Sequence, residues 1–226
     1  MDKDSTNEII PIEELKGKDQ INFSEKISSV PQKDADKIKN SLRRNAVINS
    51  QTGETGVATK ALPTILNTDP ETARTYALTQ PKENFFEDNK GNQYIKTPTL
   101  IAETSKRAEE PRPPTQRDIL RQSRTYLTDV SDSPVADKTR DHHRKQLETQ
   151  MKKEKRNVKR EAIRTGKLDP SSPIDVHHKE SVSSAPRKMA DPKNLDPVDR
   201  ALHQKWHKQG GGTAAEWERF KKDERH

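Results

Sequence analysis

One spacing near the end of the chain constrains its fold more than any other feature. His177 and His178 are adjacent, Asn194 follows sixteen residues after His178, His203 nine after that, and His207 four further on. Histidines at i and i+4 lie on one face of a helix, so His203 and His207 can both turn a ring nitrogen toward one ion. A third ligand has to come from another segment. In an extended run over Ile174–His178, neighbouring side chains point to opposite faces, so only one of His177 and His178 can join the helical pair. The other is left as an unliganded imidazole beside the ion, which is what a general base for water attack requires.

The flanking residues predict the local structure. Ile174–His178 reads as a short strand, residues 179–193 as a loop, and residues 195–198 as a returning strand. Asp199 can cap a helix from Arg200 to about Lys208. After Gly210-Gly211-Gly212, Thr213 and Glu216 form a capping box that opens a last helix, whose Trp217 and Phe220 can pack back on the preceding unit. Read alone, His203 and His207 would be ordinary helix-surface histidines. With a third imidazole in reach, three neutral rings leave one coordination position open, the pattern of a catalytic rather than a closed structural site.

The order His-His, Asn, His, three residues, His resembles the HNH (ββα-metal) nucleases. The Asp175-Val176-His177-His178 opening and the spacings look most like the nuclease domain of the DNase colicins and S-type pyocins. The resemblance covers about residues 174–210. It implies that His177, His203 and His207 bind one divalent ion, with zinc, magnesium, nickel and manganese not distinguished, and that His178 activates water. It implies that the Asn194 amide bonds backbone groups of the loop and so holds the strand of the base. Asp175 matches an acidic residue that the colicin nucleases keep, placed to orient a ligand histidine as in carboxylate–histidine–metal pairs. Two features depart from the family pattern. The loop over residues 179–193 has no glycine, and the arginine with which colicin nucleases grip the scissile phosphate has no evident counterpart among the many upstream arginines.

Composition bears on the rest of the chain. Hydrophobic residues are 27% and charged residues 35% of the sequence, too little apolar surface to offset backbone ordering throughout. The expected fold is therefore α+β, mostly α: a small ββα-metal domain with preceding helices, over residues 111–226, behind a largely disordered leader over residues 1–110. Within the leader, a short helix is expected around residues 34–44, and a hairpin over residues 84–100, where aromatic runs flank the turn Asn89-Lys90-Gly91-Asn92. Lys106–Pro114 is a charged, proline-bearing break and the candidate linker. Thr115 and Asp118 read as the cap of a helix to about Leu127. Ser133-Pro134 restarts a helix that runs to Thr165 and stops at Gly166. The adjacent pair His142-His143 lies on that helix, does not share a face, and reads as solvated.

Charge is uneven. Residues 1–110 sum to −2 and residues 111–226 to +9, together the +7 of the whole chain. A basic surface beside a metal motif points to a polyanion bound through its phosphates. Arg187, Lys188, Lys205 and Lys208 are the nearest candidates for backbone contacts, and no base-reading element is evident. There is no cysteine, hence no disulfide and no Cys-based zinc site. No apolar run is long enough to span a bilayer, and the N-terminus lacks the basic and apolar regions of a secretory signal.

The function expected from all this is a metal-dependent endonuclease that hydrolyses DNA phosphodiesters with little sequence specificity. By resemblance it would be a bacterial toxin, made in the cytoplasm and delivered into a target cell without an N-terminal Sec signal. Its partners would be delivery machinery at the N-terminal region and an acidic immunity protein. Two other readings are a non-catalytic nucleic-acid-binding protein with a structural histidine–zinc site, and a phage or mobile-element HNH nickase. A structural site has no use for the second histidine of the pair, and the long leader fits a nickase poorly.

Overall fold

A computed structural model describes residues 8–224, apart from the side chain of Arg187. The chain is α+β and mostly α, and it divides into two compact units, Met1–His143 and Arg144–His226. No helix among the described residues is long and apolar enough to cross a membrane.

The first unit corrects the expectation of a disordered leader. It contains β1 (Ile9–Pro11), α1 (Gln32–Asn45), β2 (Ala46–Asn49), β3 (Thr55–Ala58), α2 (Leu62–Ile65), α3 (Pro70–Thr79), β4 (Phe85–Glu87), β5 (Gln93–Lys96), α4 (Thr97–Glu109) and α5 (Pro114–Ser131). The strands form one antiparallel sheet in the order β1-β2-β3-β5-β4. Side chains alternate across it. Ile48, Val57 and Ile95 face a core shared with Ile38 and Leu42 of α1, Leu62 and Ile65 of α2, Leu100 of α4, and Tyr126 and Leu127 of α5, all essentially without solvent exposure. Val47, Phe86 and Tyr94 cluster separately. The Phe86 ring lies directly over Gly56, where a Cβ would come within 2.7 Å of it. Only a glycine fits at this crossing of β3.

The short helix expected around residues 34–44 is α1. The expected hairpin is β4–β5, and it finds the partner surface it needs by pairing β5 with β3. The expected linker over residues 106–114 is the end of α4 and a tight connection to α5, which packs against α4 within the same unit. Thr115 does not cap α5. The helix begins at Pro114, with no side-chain cap, and Asp118 accepts from Ser29 Oγ and Arg121 instead. The break between units falls at His143, inside the 31-residue helix α6 (Pro134–Arg164). That helix has the expected proline start, and its stop at Gly166 is left-handed, with φ 71°.

The second unit contains the rest of α6, β6 (Ile174–His178), β7 (Leu195–Asp199), α7 (Arg200–Lys208) and α8 (Ala214–Asp223). It carries 21 Lys and Arg against 13 Asp and Glu, a net +8. β6 and β7 pair antiparallel, with His177 opposite Asp196 and His178 opposite Leu195. The Asp199 carboxylate accepts from the N–H groups of Ala201 and Leu202 and so starts α7. Thr213 and Glu216 form the expected capping box of α8. Trp217 and Phe220 pack with Trp206, Leu202 and Val198 into a small core. This strand–loop–strand–helix arrangement puts the end of β6 beside the exposed turn of α7.

Candidate metal centre

The three rings expected to share an ion are brought together. His177 comes from β6, and His203 and His207 come from successive turns of α7. Each offers one ring nitrogen, and these atoms all lie within 4.8 Å of one another. The Nε2 atoms of His203 and His207 are 3.0 Å apart. Tetrahedral zinc with bonds of about 2.0–2.1 Å holds its ligand nitrogens roughly 3.3 Å apart, so a small shift of the rings admits the ion. Three imidazoles, with no fourth ligand grouped with them among the described residues, suit a divalent transition metal with one position open.

Packing and hydrogen bonds aim the rings. Asp175, on the same strand face as His177, accepts from His203 Nδ1 at 3.3 Å and from Arg200 Nε at 3.2 Å. With its proton on Nδ1, His203 keeps the Nε2 lone pair for a metal. Burial opposes ionisation of Asp175, but the bonds from His203 and Arg200 hold its carboxyl below the usual value. His177 is buried, 8% exposed, and its ring lies 4.3 Å from that of Trp217. Trp217 of α8 is itself held by Asp196, which sequence reasoning missed. The buried Asp196 carboxylate accepts from Trp217 Nε1 at 2.9 Å, from Lys221 and from Lys167. Burial raises its proton affinity, but the Lys221 and Trp217 bonds outweigh that and keep it ionised. An acidic residue inside the otherwise apolar Leu195–Val198 run is the only sequence signal for it.

Asn194 makes the contacts expected of it. Its Oδ1 accepts from Glu180 N at 2.8 Å, and its Nδ2 donates to the carbonyls of Glu180 and Lys188, each at 3.1 Å. The glycine-free loop is therefore closed at both ends, and a turn at Ser181–Ser184 bonded through Ser181 Oγ tightens its start.

His178 faces away from the three-ring group in the strand but lines the same cleft. This cleft, about 480 Å³, is also lined by Lys155, Lys179, His177, His203, His207 and the backbone of residues 210–212. His178 Nε2 lies 3.1 Å from the Met189 carbonyl. A carbonyl only accepts, so the ring proton sits on Nε2 and Nδ1 is left as the basic nitrogen. Burial, and then the charge of Lys155, push the His178 pKa down, so the ring is neutral at pH 7.

Of the expected phosphate contacts, Lys188 and Lys205 are exposed but tied to Glu180 and Glu224. Lys208 is exposed, and none of these three lines the cleft. Arg187's side chain lies outside the described residues. The cations that do line it are Lys155 and Lys179. Nothing in the sequence separates Lys155 from the lysines around it, because only packing decides which one turns inward. The pair His142-His143 joins no metal-ligand group among the described residues.

Burial, followed by the charges of His203 and His207, pushes the His177 pKa from 6.5 down to about 4. In metal-free protein the unfolded chain therefore binds a proton here near pH 6.5, and the folded chain only near pH 4. Stability is full above 6.5 and falls as pH drops through this window, by up to about 3 kcal/mol for this residue. His178 adds in the same direction. Urea unfolding followed by Trp206 and Trp217, the only two tryptophans, should show the fall, and His177→Gln should reduce it. A flat profile across the window would contradict it.

Compared with known proteins, the chain matches no protein-family model, and no curated protein and no solved structure matches it.

Proposed function

We propose that the second unit is a metal-dependent endonuclease that hydrolyses phosphodiester bonds of DNA with little sequence specificity. The observation that carries this reading is a cluster of three imidazoles that could hold an ion, sharing one cleft with a fourth imidazole, His178, outside the cluster. A structural site would need the first and not the second.

When bound, a divalent cation supplies Lewis-acid charge neutralisation at the phosphate oxygens. The chain's own residues supply the rest. His178 accepts a proton from the attacking water at Nδ1, while Met189 fixes the ring through Nε2. Asn194 holds the loop that carries Met189. Asp175, bonded to His203 Nδ1, would keep its Nε2 free to hold the ion. The net +8 of residues 144–226 draws a polyanion to the cleft without reading its bases.

The proposal includes the toxin context: a chain made in a bacterial cytoplasm, delivered into a target cell, and held in check in the producer by an acidic immunity protein covering the basic face. What supports this part is the layout, a separately folded unit that precedes the proposed nuclease in the chain.

Plasmid nicking by the full chain tests the enzymatic core. Activity should appear with added divalent metal, vanish with chelator, and show no preferred cleavage sequence. Chelator-resistant nicking, or none with any of zinc, magnesium, nickel or manganese, would overturn it.

A further inference from the structure

We propose that Lys155 of α6 is a cation that meets the substrate phosphate in the histidine cleft, so that this helix forms one wall of the nucleic-acid site. The inference rests on the nuclease reading above and adds a residue that lies outside the motif.

Three observations carry it. First, Lys155 lines the cleft together with His177, His178, His203 and His207. Second, the helix is anchored there. Lys159 donates to the carbonyl of Ile174, the first residue of β6. Lys155 is one turn earlier on the same helix face, which carries it along β6 toward His177 and His178. Third, the half-buried Lys155 ammonium makes no hydrogen bond or ion pair among the described residues. Burial, and then the neighbouring Lys159, lower its hold on its proton. The Asp175 carboxylate offsets only part of this and does not bond the ammonium; a partly desolvated cation with no bonded anion is costly, and a phosphate oxygen in the cleft would relieve that cost. Lys188 and Lys205 already have carboxylate partners, and no arginine among the described residues lines the cleft. On the exposed side of the same helix, Lys152, Lys153, Arg156 and Arg160 continue the positive surface along which a duplex backbone can run.

The test compares Lys155→Met, which keeps the apolar stem, with Lys155→Arg, which keeps the charge, both in the full chain. Binding to a random-sequence duplex is measured in chelator over a range of salt. Lys155→Met should weaken binding by about tenfold, the worth of one charge-assisted hydrogen bond, and reduce the salt slope by about 1. Lys155→Arg should restore both. Zinc affinity by calorimetry and the thermal midpoint should be unchanged in either variant, which separates a phosphate contact from a structural role. Unaltered affinity and salt slope in Lys155→Met would overturn the proposal, as would a wild-type protein that fails to bind the duplex. A wild type that binds but never nicks would instead sink the nuclease reading and leave the Lys155 comparison standing.

Discussion

Replacing His178 with alanine is expected to lower metal-dependent nicking by about 10²–10⁴-fold, the usual worth of a positioned general base, with the ion still bound. The ring nitrogens that could hold the ion belong to His177, His203 and His207, and Lys155, the proposed phosphate contact, is untouched, so metal content and duplex affinity should match the wild type. The change also removes the partner of the Met189 carbonyl, a loss of about 1 kcal/mol, so the thermal midpoint belongs beside the kinetics. A protein that uses its histidines only to hold structural zinc would have no metal-dependent cleavage to lose. Full activity in His178→Ala would mean that the base is elsewhere.

Metal affinity should fall by more than about 100-fold in His203→Ala. Removing an outer partner of a ligand typically costs 10–100-fold, and His203 is one of the three candidate ligands found among the described residues. The same substitution leaves Asp175 with Arg200 alone, so the carboxylate keeps a counter-charge and the metal-free fold should survive. Calorimetry with zinc measures the loss directly. Trp217, whose ring lies 4.3 Å from that of His177, gives a second readout, because ion binding at His177 should alter its fluorescence. In wild type, an ion at 100 times its Kd should add about 2.7 kcal/mol to stability, and His203→Ala should abolish that gain. His143→Ala is the control, since His143 is outside the ligand group. Equal zinc affinity in His203→Ala and wild type would show that the ligand set is wrong.

The readable parts of this chain are those where neighbours in sequence settle the structure. The α7 helix follows from Asp199 as cap and from the four-residue repeat of its histidines, and α8 follows from the Thr213–Glu216 box. Local signals are present in the first unit too. Asp69 before Pro70 caps α3 through the N–H groups of Glu71 and Thr72, and Ala35, Ile38 and Leu42 make a buried stripe on α1. The sheet was harder to see, because its strands are three or four residues long, too short to display a period of two. A low average hydrophobicity was misleading too. The apolar residues are few, but tertiary pairing gathers most of those in the first unit into one core.

By itself, then, the sequence determined the histidine order, the helices that begin at a capping residue, and the excess of positive charge in the second half. Each depends on chemistry within a few residues along the chain or on simple counting. Only the tertiary structure decided that residues 8–143 fold, that Asp196 and Trp217 back His177, and that Lys155 rather than Lys188 or Lys205 faces the cleft. Those outcomes depend on which distant surfaces meet. Burial energy comes from area removed from water between segments, and a carboxylate eight or nineteen residues away determines which lysine is already paired.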